Sequence, residues 1–129
     1  MGLDMYLFGR KAMCGADQPT DDEGYKIDTV EVELAYWRKH PNLHGYIVET
    51  FAGDVDDCQP ITLNEDNIEL ILRAIKDDEL PHTEGCFFGT SEKSAAQMAE
   101  DVAVFEAALV WLKKEKPNEL RSVRYRASW

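Results

Sequence analysis

The chain has 129 residues, 44% of them hydrophobic, with 25 acidic and 14 basic side chains and a net charge of -11. That length suits a single domain over residues 1–129 that can bury its own core without disulfide staples, and no run of about 18 apolar residues is present to cross a membrane. The charge is uneven: residues 1–112 hold 23 acidic against 8 basic side chains, while from Lys113 onward 6 basic residues face only Glu115 and Glu119, so direct DNA binding over most of the surface is disfavoured.

The opening segment Leu3-Asp4-Met5-Tyr6-Leu7-Phe8 alternates, which predicts a strand with Leu3, Met5 and Leu7 on one face and Asp4, Tyr6 and Phe8 on the other. Asp4 interrupts the apolar stretch and no basic leader precedes it, so the segment does not read as a secretory signal, and a cytoplasmic protein is expected. A carboxylate between aromatics marks a paired charge or a site. Residues Cys14 to Gly24, with Pro19 and the run Asp21-Asp22-Glu23, read as an exposed loop.

Asp28 with Glu31 has the spacing of a capping box, and Val30, Leu34 and Trp37 recur at helical intervals, which predicts a helix ending at His40 before Pro41. A short helix follows, with Leu43, Ile47 and Phe51 on one stripe and Gly53 as its stop. Asp54-Val55-Asp56-Asp57 forms an acidic turn, and Gln59 to Leu63 suits a short edge strand. Thr62 and Glu65 cap the next helix, lined by Ile68, Ile71, Leu72 and Ile75 and ended near Asp77-Asp78-Glu79. Gly85-Cys86-Phe87-Phe88-Gly89 reads as a buried strand or turn, and the longest helix starts near Ser94 with a broad arc through Met98, Val102, Phe105, Leu109 and Leu112. The chain closes on a strand that turns Val123, Tyr125, Ala127 and Trp129 inward and Arg124 and Arg126 outward. The resulting fold class is α+β: a small, mostly antiparallel sheet containing both terminal strands, packed against about four helices. In it Asp4 is expected to meet Arg124 or Arg126 across the sheet.

Chemistry-bearing residues are scattered. Cys14, Cys58 and Cys86 form no C-x-x-C pair and read as reduced thiols. His40 and His44 have the spacing of two ligands on one helix, but Pro41 lies between them and no Glu follows the first, so a metal centre with Cys58, Cys86, Asp57 or His82 would have to be assembled by the fold. Asp56 and Asp57 raise rather than lower the pKa of the Cys58 thiol, which opposes nucleophilic chemistry with His44. Neither a P-loop nor a G-x-G-x-x-G is present, and no cofactor is indicated. Tyr36-Trp37-Arg38-Lys39 combines rings and cations able to stack a base and hold a phosphate, although such residues more often close a helix. The basic tail is expected to pair with the protein's own acid.

Taken together, Met1 to Leu7 (MGLDMYL), Glu33 to Lys39 (ELAYWRK), Leu43-His44-Gly45-Tyr46, Asp57-Cys58 and Cys86-Phe87-Phe88-Gly89 resemble a family of small bacteriophage and prophage proteins. The likeness runs to about Leu112 and departs from the family pattern at Gly45-Tyr46 and Cys86, and the basic C-terminal strand has no counterpart in it. It implies an accessory phage product working in the cytoplasm of an infected or lysogenic host. Three functions are expected in turn. The first is a non-enzymatic inhibitor or decoy acting on a host defence protein with a basic surface, through Asp21, Asp22, Glu23, Asp54, Asp56, Asp77, Asp78 and Glu79. The second is a small-molecule or nucleotide binder built from Asp4, Tyr6, Trp37, Arg38, His44, Asp57 and Cys58. The third is a metal- or thiol-dependent hydrolase on His44, Asp57 and Cys58. A homodimer is compatible with an exposed Trp111 or Trp129.

Overall fold

A computed structural model describes residues 2–15, 18–53, 58–81, 94–114 and 116–129. Its elements in chain order are β1 (Asp4–Met13), β2 (Thr29–Arg38), α1 (Pro41–Phe51), β3 (Ile61–Leu63), α2 (Glu65–Lys76), α3 (Ala95–Lys113) and β4 (Glu119–Ser128). The four strands form one antiparallel sheet in the order β2-β1-β4-β3. Both terminal strands lie at its centre and pair directly, Asp4 opposite Ser128 and Met13 opposite Glu119.

The expected helix over 28–39 is instead β2, so three helices rather than about four stand among the described residues. Thr29-Val30-Glu31-Val32-Glu33 alternates apolar and acidic and is rich in β-branched residues, which favour a half-buried strand. A bulge then slips the register. Phe8 pairs with Glu33 and Leu7 with Ala35, leaving Leu34 as the extra residue. That one-residue insertion moves the inward phase from Val30 and Val32 to Ala35 and Trp37, and it is what imitates helical spacing.

The chain leaves β2 through Lys39, whose φ of 56° turns it into α1, and its N–H donates to the Leu3 carbonyl over 2.8 Å. Pro41 at the first turn of α1 supplies a fixed φ where no N–H is needed. The box that starts α2 is formed by Asn64 and Asn67, each side chain accepting the other's backbone N–H at 2.8 and 3.0 Å, and not by Thr62 and Glu65. Thr62 is committed to β3 and points from the sheet, so it has no reach to the helix end. Ser94 caps α3 as expected, its Oγ accepting from the Gln97 N–H at 3.0 Å.

All three helices pack on one face of the sheet. Leu3, Met5, Leu7, Trp37, Val123, Tyr125 and Ala127 supply that face, and Leu43, Ile47, Ile68, Ile71, Ile75, Phe105 and Leu112 close over it. Each such Leu, Ile or Phe stabilises the fold by about 1.5–3 kcal/mol when fully buried. On α3 Asp101, Phe105, Ala108 and Leu112 are buried, and Met98, Val102, Val104, Leu109 and Trp111 pack partly buried against the core, so the broad arc is as expected, while Val110 is exposed. The opposite face of the sheet carries Asp4, Tyr6, Phe8 and Arg10 from β1, Tyr36 and Arg38 from β2, and Arg124 and Arg126 from β4. Among the described residues, no helix is long and apolar enough to cross a membrane.

Candidate functional site

The one carboxylate buried in the apolar layer among the described residues is Asp101, 2% exposed, one turn before Phe105 on α3. Its Oδ1 accepts from the indole Nε1–H of Trp37 at 2.9 Å and from the amide Nε2–H of Gln97, four residues back on the same helix, at 2.9 Å. Its Oδ2 lies 2.7 Å from Nε2 of His40, itself 7% exposed. As a carboxylate Asp101 only accepts, so the imidazole donates through Nε2. Three elements therefore converge on one carboxylate: the end of β2, the turn into α1, and α3. A buried charge survives in such a layer only when its lone pairs are met in this way.

Beside this cluster opens a cavity of about 280 Å3. His40, Asn42, Ser94, Gln97 and Asp101 supply polar atoms to its wall, and Ile75, Leu80 and Met98 supply apolar surface. Its size is near the lower end for small-molecule sites, and its mixture of a few convergent polar groups on an apolar lining is the usual one. A histidine oriented by a buried carboxylate is also the arrangement that acid–base chemistry uses. The hydroxyl in the described lining is that of Ser94, whose Oγ accepts at the N-terminus of α3.

Of the seven residues expected to share a ligand site, the six that are described fall into separate places. Trp37 and Arg38 are neighbours on a strand, so Trp37 points into the helix layer and Arg38 away from it. Trp37 reaches the Asp101 cluster and stacks on Phe105 at 5.7 Å between centroids. Asp4 and Tyr6 share the uncovered sheet face with Arg38. There Asp4 accepts a 2.6 Å hydrogen bond from the Tyr36 hydroxyl and stands opposite Arg38 and Ser128, so neither Arg124 nor Arg126 is its cross-strand neighbour as expected. That bond, helped by partial desolvation and the charge on Asp4, holds the Tyr36 phenol above its usual range. His44 is fully buried, its Nδ1 2.6 Å from the Tyr125 hydroxyl and its ring edge-on to Trp129. Cys58 is exposed at a φ of 62°, and Asp57 lies outside the described residues. His40 and His44 thus serve different clusters, and among the described residues no group of three or more His, Cys, Asp or Glu could hold a metal.

Of the acidic residues expected to meet a partner, Asp22, Glu23, Asp77, Asp78 and Glu79 are exposed. Asp21 is exposed too, but its Oδ1 closes a turn by accepting from the N–H groups of Glu23 and Tyr25. Asp54 and Asp56 lie outside the described residues, as do His82 and the segment from Gly85 to Gly89. Among the described residues the basic tail pairs with acid at Arg121, which donates to Glu119 over 2.5 Å and to the Trp111 carbonyl over 2.8 Å while lying over the Trp111 ring. This bond holds the Glu119 carboxyl below its usual range. Trp111 and Trp129, named as possible dimer contacts, are both partly buried against the protein's own core.

The sequence signal for the cluster was Asp101 itself, a charged residue inside the apolar arc between Met98 and Phe105, with Gln97 one turn back. Comparison with known proteins finds no matching family model, no matching curated protein and no matching solved structure.

Proposed function

We propose that this chain is a small accessory binding protein, phage- or prophage-encoded as the resemblance implies, whose ligand site is the cavity beside His40 and Asp101. The observation that carries this reading is the buried carboxylate held by three donors from three elements in the wall of a 280 Å3 cavity. Such a network fixes polar groups in place before a ligand arrives, which lowers the ordering cost of binding. The ligand class that fits is a small, part-polar, neutral or cationic metabolite, because the described lining carries Asp78 and Asp101 and no Lys or Arg, with nucleosides and amines the first compounds to try.

Thermal shift against those compounds and divalent metals tests it. A ligand at a hundredfold excess over Kd adds about 2.7 kcal/mol of stability. Ala95→Trp fills the cavity from an exposed position in its lining, on the first turn of α3, while leaving Trp37, His40, Gln97 and Asp101 unsubstituted. A shift in the wild type that disappears in Ala95→Trp supports the site; no shift with any compound, or one that survives the plug, removes it.

A second reading, an inhibitor docking on a basic host protein, is supported by the exposure of Asp22, Glu23, Asp77, Asp78 and Glu79 on a chain of net charge -11. It requires a partner rich in Lys and Arg, and an association that weakens steeply with salt.

A further inference from the structure

The sheet face that none of the described helices covers is chemically unlike the rest of this acidic protein. Three aromatic rings run across its two strands β2 and β1: Tyr36 and Tyr6 at 5.1 Å between centroids, then Tyr6 and Phe8 stacked at 5.6 Å. Tyr36 is 46% exposed. Arginines surround the row. Arg126 lies 5.0 Å over the Phe8 ring from the neighbouring strand β4, Arg124 stands opposite Phe8, Arg38 lies beside Tyr36, and Arg10 continues β1. Among the described residues none of these four forms an ion pair, although the chain has acid in excess, and the buried Nε of Arg124 has no hydrogen-bond partner.

We propose that this aromatic and arginine-bearing sheet face binds single-stranded nucleic acid, its bases stacking on Tyr36 and Tyr6 and its phosphates meeting Arg124, Arg126 and Arg38. Exposed rings take any base by its π-face, and guanidinium groups left without acid partners supply the phosphate contacts. Four strands span about 14 Å, room for two or three unstacked bases. A duplex presents its bases only in grooves, which a flat sheet face does not enter, so the occupant is a single strand. The protein's net charge does not forbid this. At physiological ionic strength charges beyond about 8 Å are screened, and on the face itself four arginines outnumber Asp4, Glu31 and Glu33. The inference is independent of the cavity, which lies on the helix side of the sheet.

Fluorescence anisotropy with labelled twelve-nucleotide RNA and DNA single strands, and the same sequence as a duplex, tests it. Single strands are expected to bind and the duplex not, with RNA and DNA compared to place the source. Three phosphate contacts give a log–log salt slope of about -2, an affinity loss of about fifteenfold between 50 and 200 mM salt. Tyr36→Ala and Arg126→Ala, both on the solvent side, are each expected to weaken binding about tenfold with a cooperative unfolding transition retained. Ala95→Trp is expected to leave it intact, which separates this face from the cavity. The proposal is overturned by any of three results: no binding of either single strand at about 200 μM protein in 50 mM salt, equal binding of the duplex, or a Tyr36→Ala/Arg126→Ala double variant that is folded and binds as the wild type does.

Discussion

Asp101 places a charge where α3 is otherwise apolar, and its energetics depend on which partners stay bonded. Asp101→Ala leaves the Trp37 indole, the Gln97 amide and His40 without their acceptor in a buried setting. Unmet buried donors cost about 1–3 kcal/mol each before relaxation, so a total loss of at least 3 kcal/mol is expected from urea unfolding. Asp101→Asn keeps Oδ1 for Trp37 and Gln97 but sets an amide N–H against His40, which then has to present a bare Nε2; the expected loss is about 1 kcal/mol. Equal losses in the two variants would show that the His40 contact dominates the cluster. A different residue-scale balance operates at Glu119, whose carboxyl is held low by its bond to Arg121. A depressed carboxylate pKa contributes stability that is complete above the usual glutamate value of about 4.3 and is lost as pH falls through the lower, folded value. Acid titrations of the wild type and Glu119→Gln should therefore converge below about pH 4 and separate above it; parallel curves would remove the pair from the acid response. Asp101 was visible in the sequence as a charge within an apolar arc, but its partners were not, because Trp37 and His40 reach it only through the packing of β2 and α1 on α3.

Elements whose period was unbroken were legible, and the one that was misread shows what a single residue does. α2, α3 and both terminal strands follow from regular spacing of apolar positions, and the pairing of β1 with β4 follows from their shared alternation. In β2 the bulge at Leu34 shifts the phase by one, so Val30, Leu34 and Trp37 fall three and four apart as on a helix. No local propensity reveals a bulge; it is set by which strand lies alongside. The close approach of α3 to β1 was equally silent in the sequence. A Cβ on Gly9 would come within 2.7 Å of the Trp111 ring, so the helix lies where only glycine permits. Gly9→Ala is expected to cost about 1–3 kcal/mol, the usual range for forcing an extra carbon into a packed layer. Trp111→Leu in the same chain removes the ring that the new methyl meets, and the double variant should lose less than the sum of the two single changes when melting curves are compared in a double-mutant cycle. Additive losses would show that the indole moves aside freely and that Gly9 has another role.

At the level of the whole molecule, the order β2-β1-β4-β3 makes β4, the last of the described strands in chain order, a central one. Val123, Tyr125 and Ala127 from β4 lie in the core, and among the described residues β3 has no strand partner other than β4. Nothing upstream can substitute for them. The same closure joins residues at opposite ends of the chain, Asp4 with Ser128, so the loop entropy must be met before the central pairing returns any contact energy. Two linked outcomes are expected. A chain ending at Lys116 should show neither a cooperative thermal transition nor dispersed amide resonances, because it loses a central strand along with Val123, Tyr125 and Ala127, three of the seven residues named on the covered sheet face. The full chain, followed by tryptophan fluorescence in stopped flow, should refold in milliseconds to seconds, as non-local sheets do, and not in the microseconds of helical bundles. Trp37 and Trp111 report on this directly, since both are set against the sheet only once β1, β2 and α3 have met. If the truncated chain folded cooperatively, β1 and β2 with the helices would be a self-sufficient unit, and the basic terminal strand would then be an addition to a finished fold. A failure of the truncated chain to fold would instead make the only strand with two unpaired arginines on the open face indispensable to the scaffold, so that this face and the core beneath it were built from the same ten residues of Glu119–Ser128.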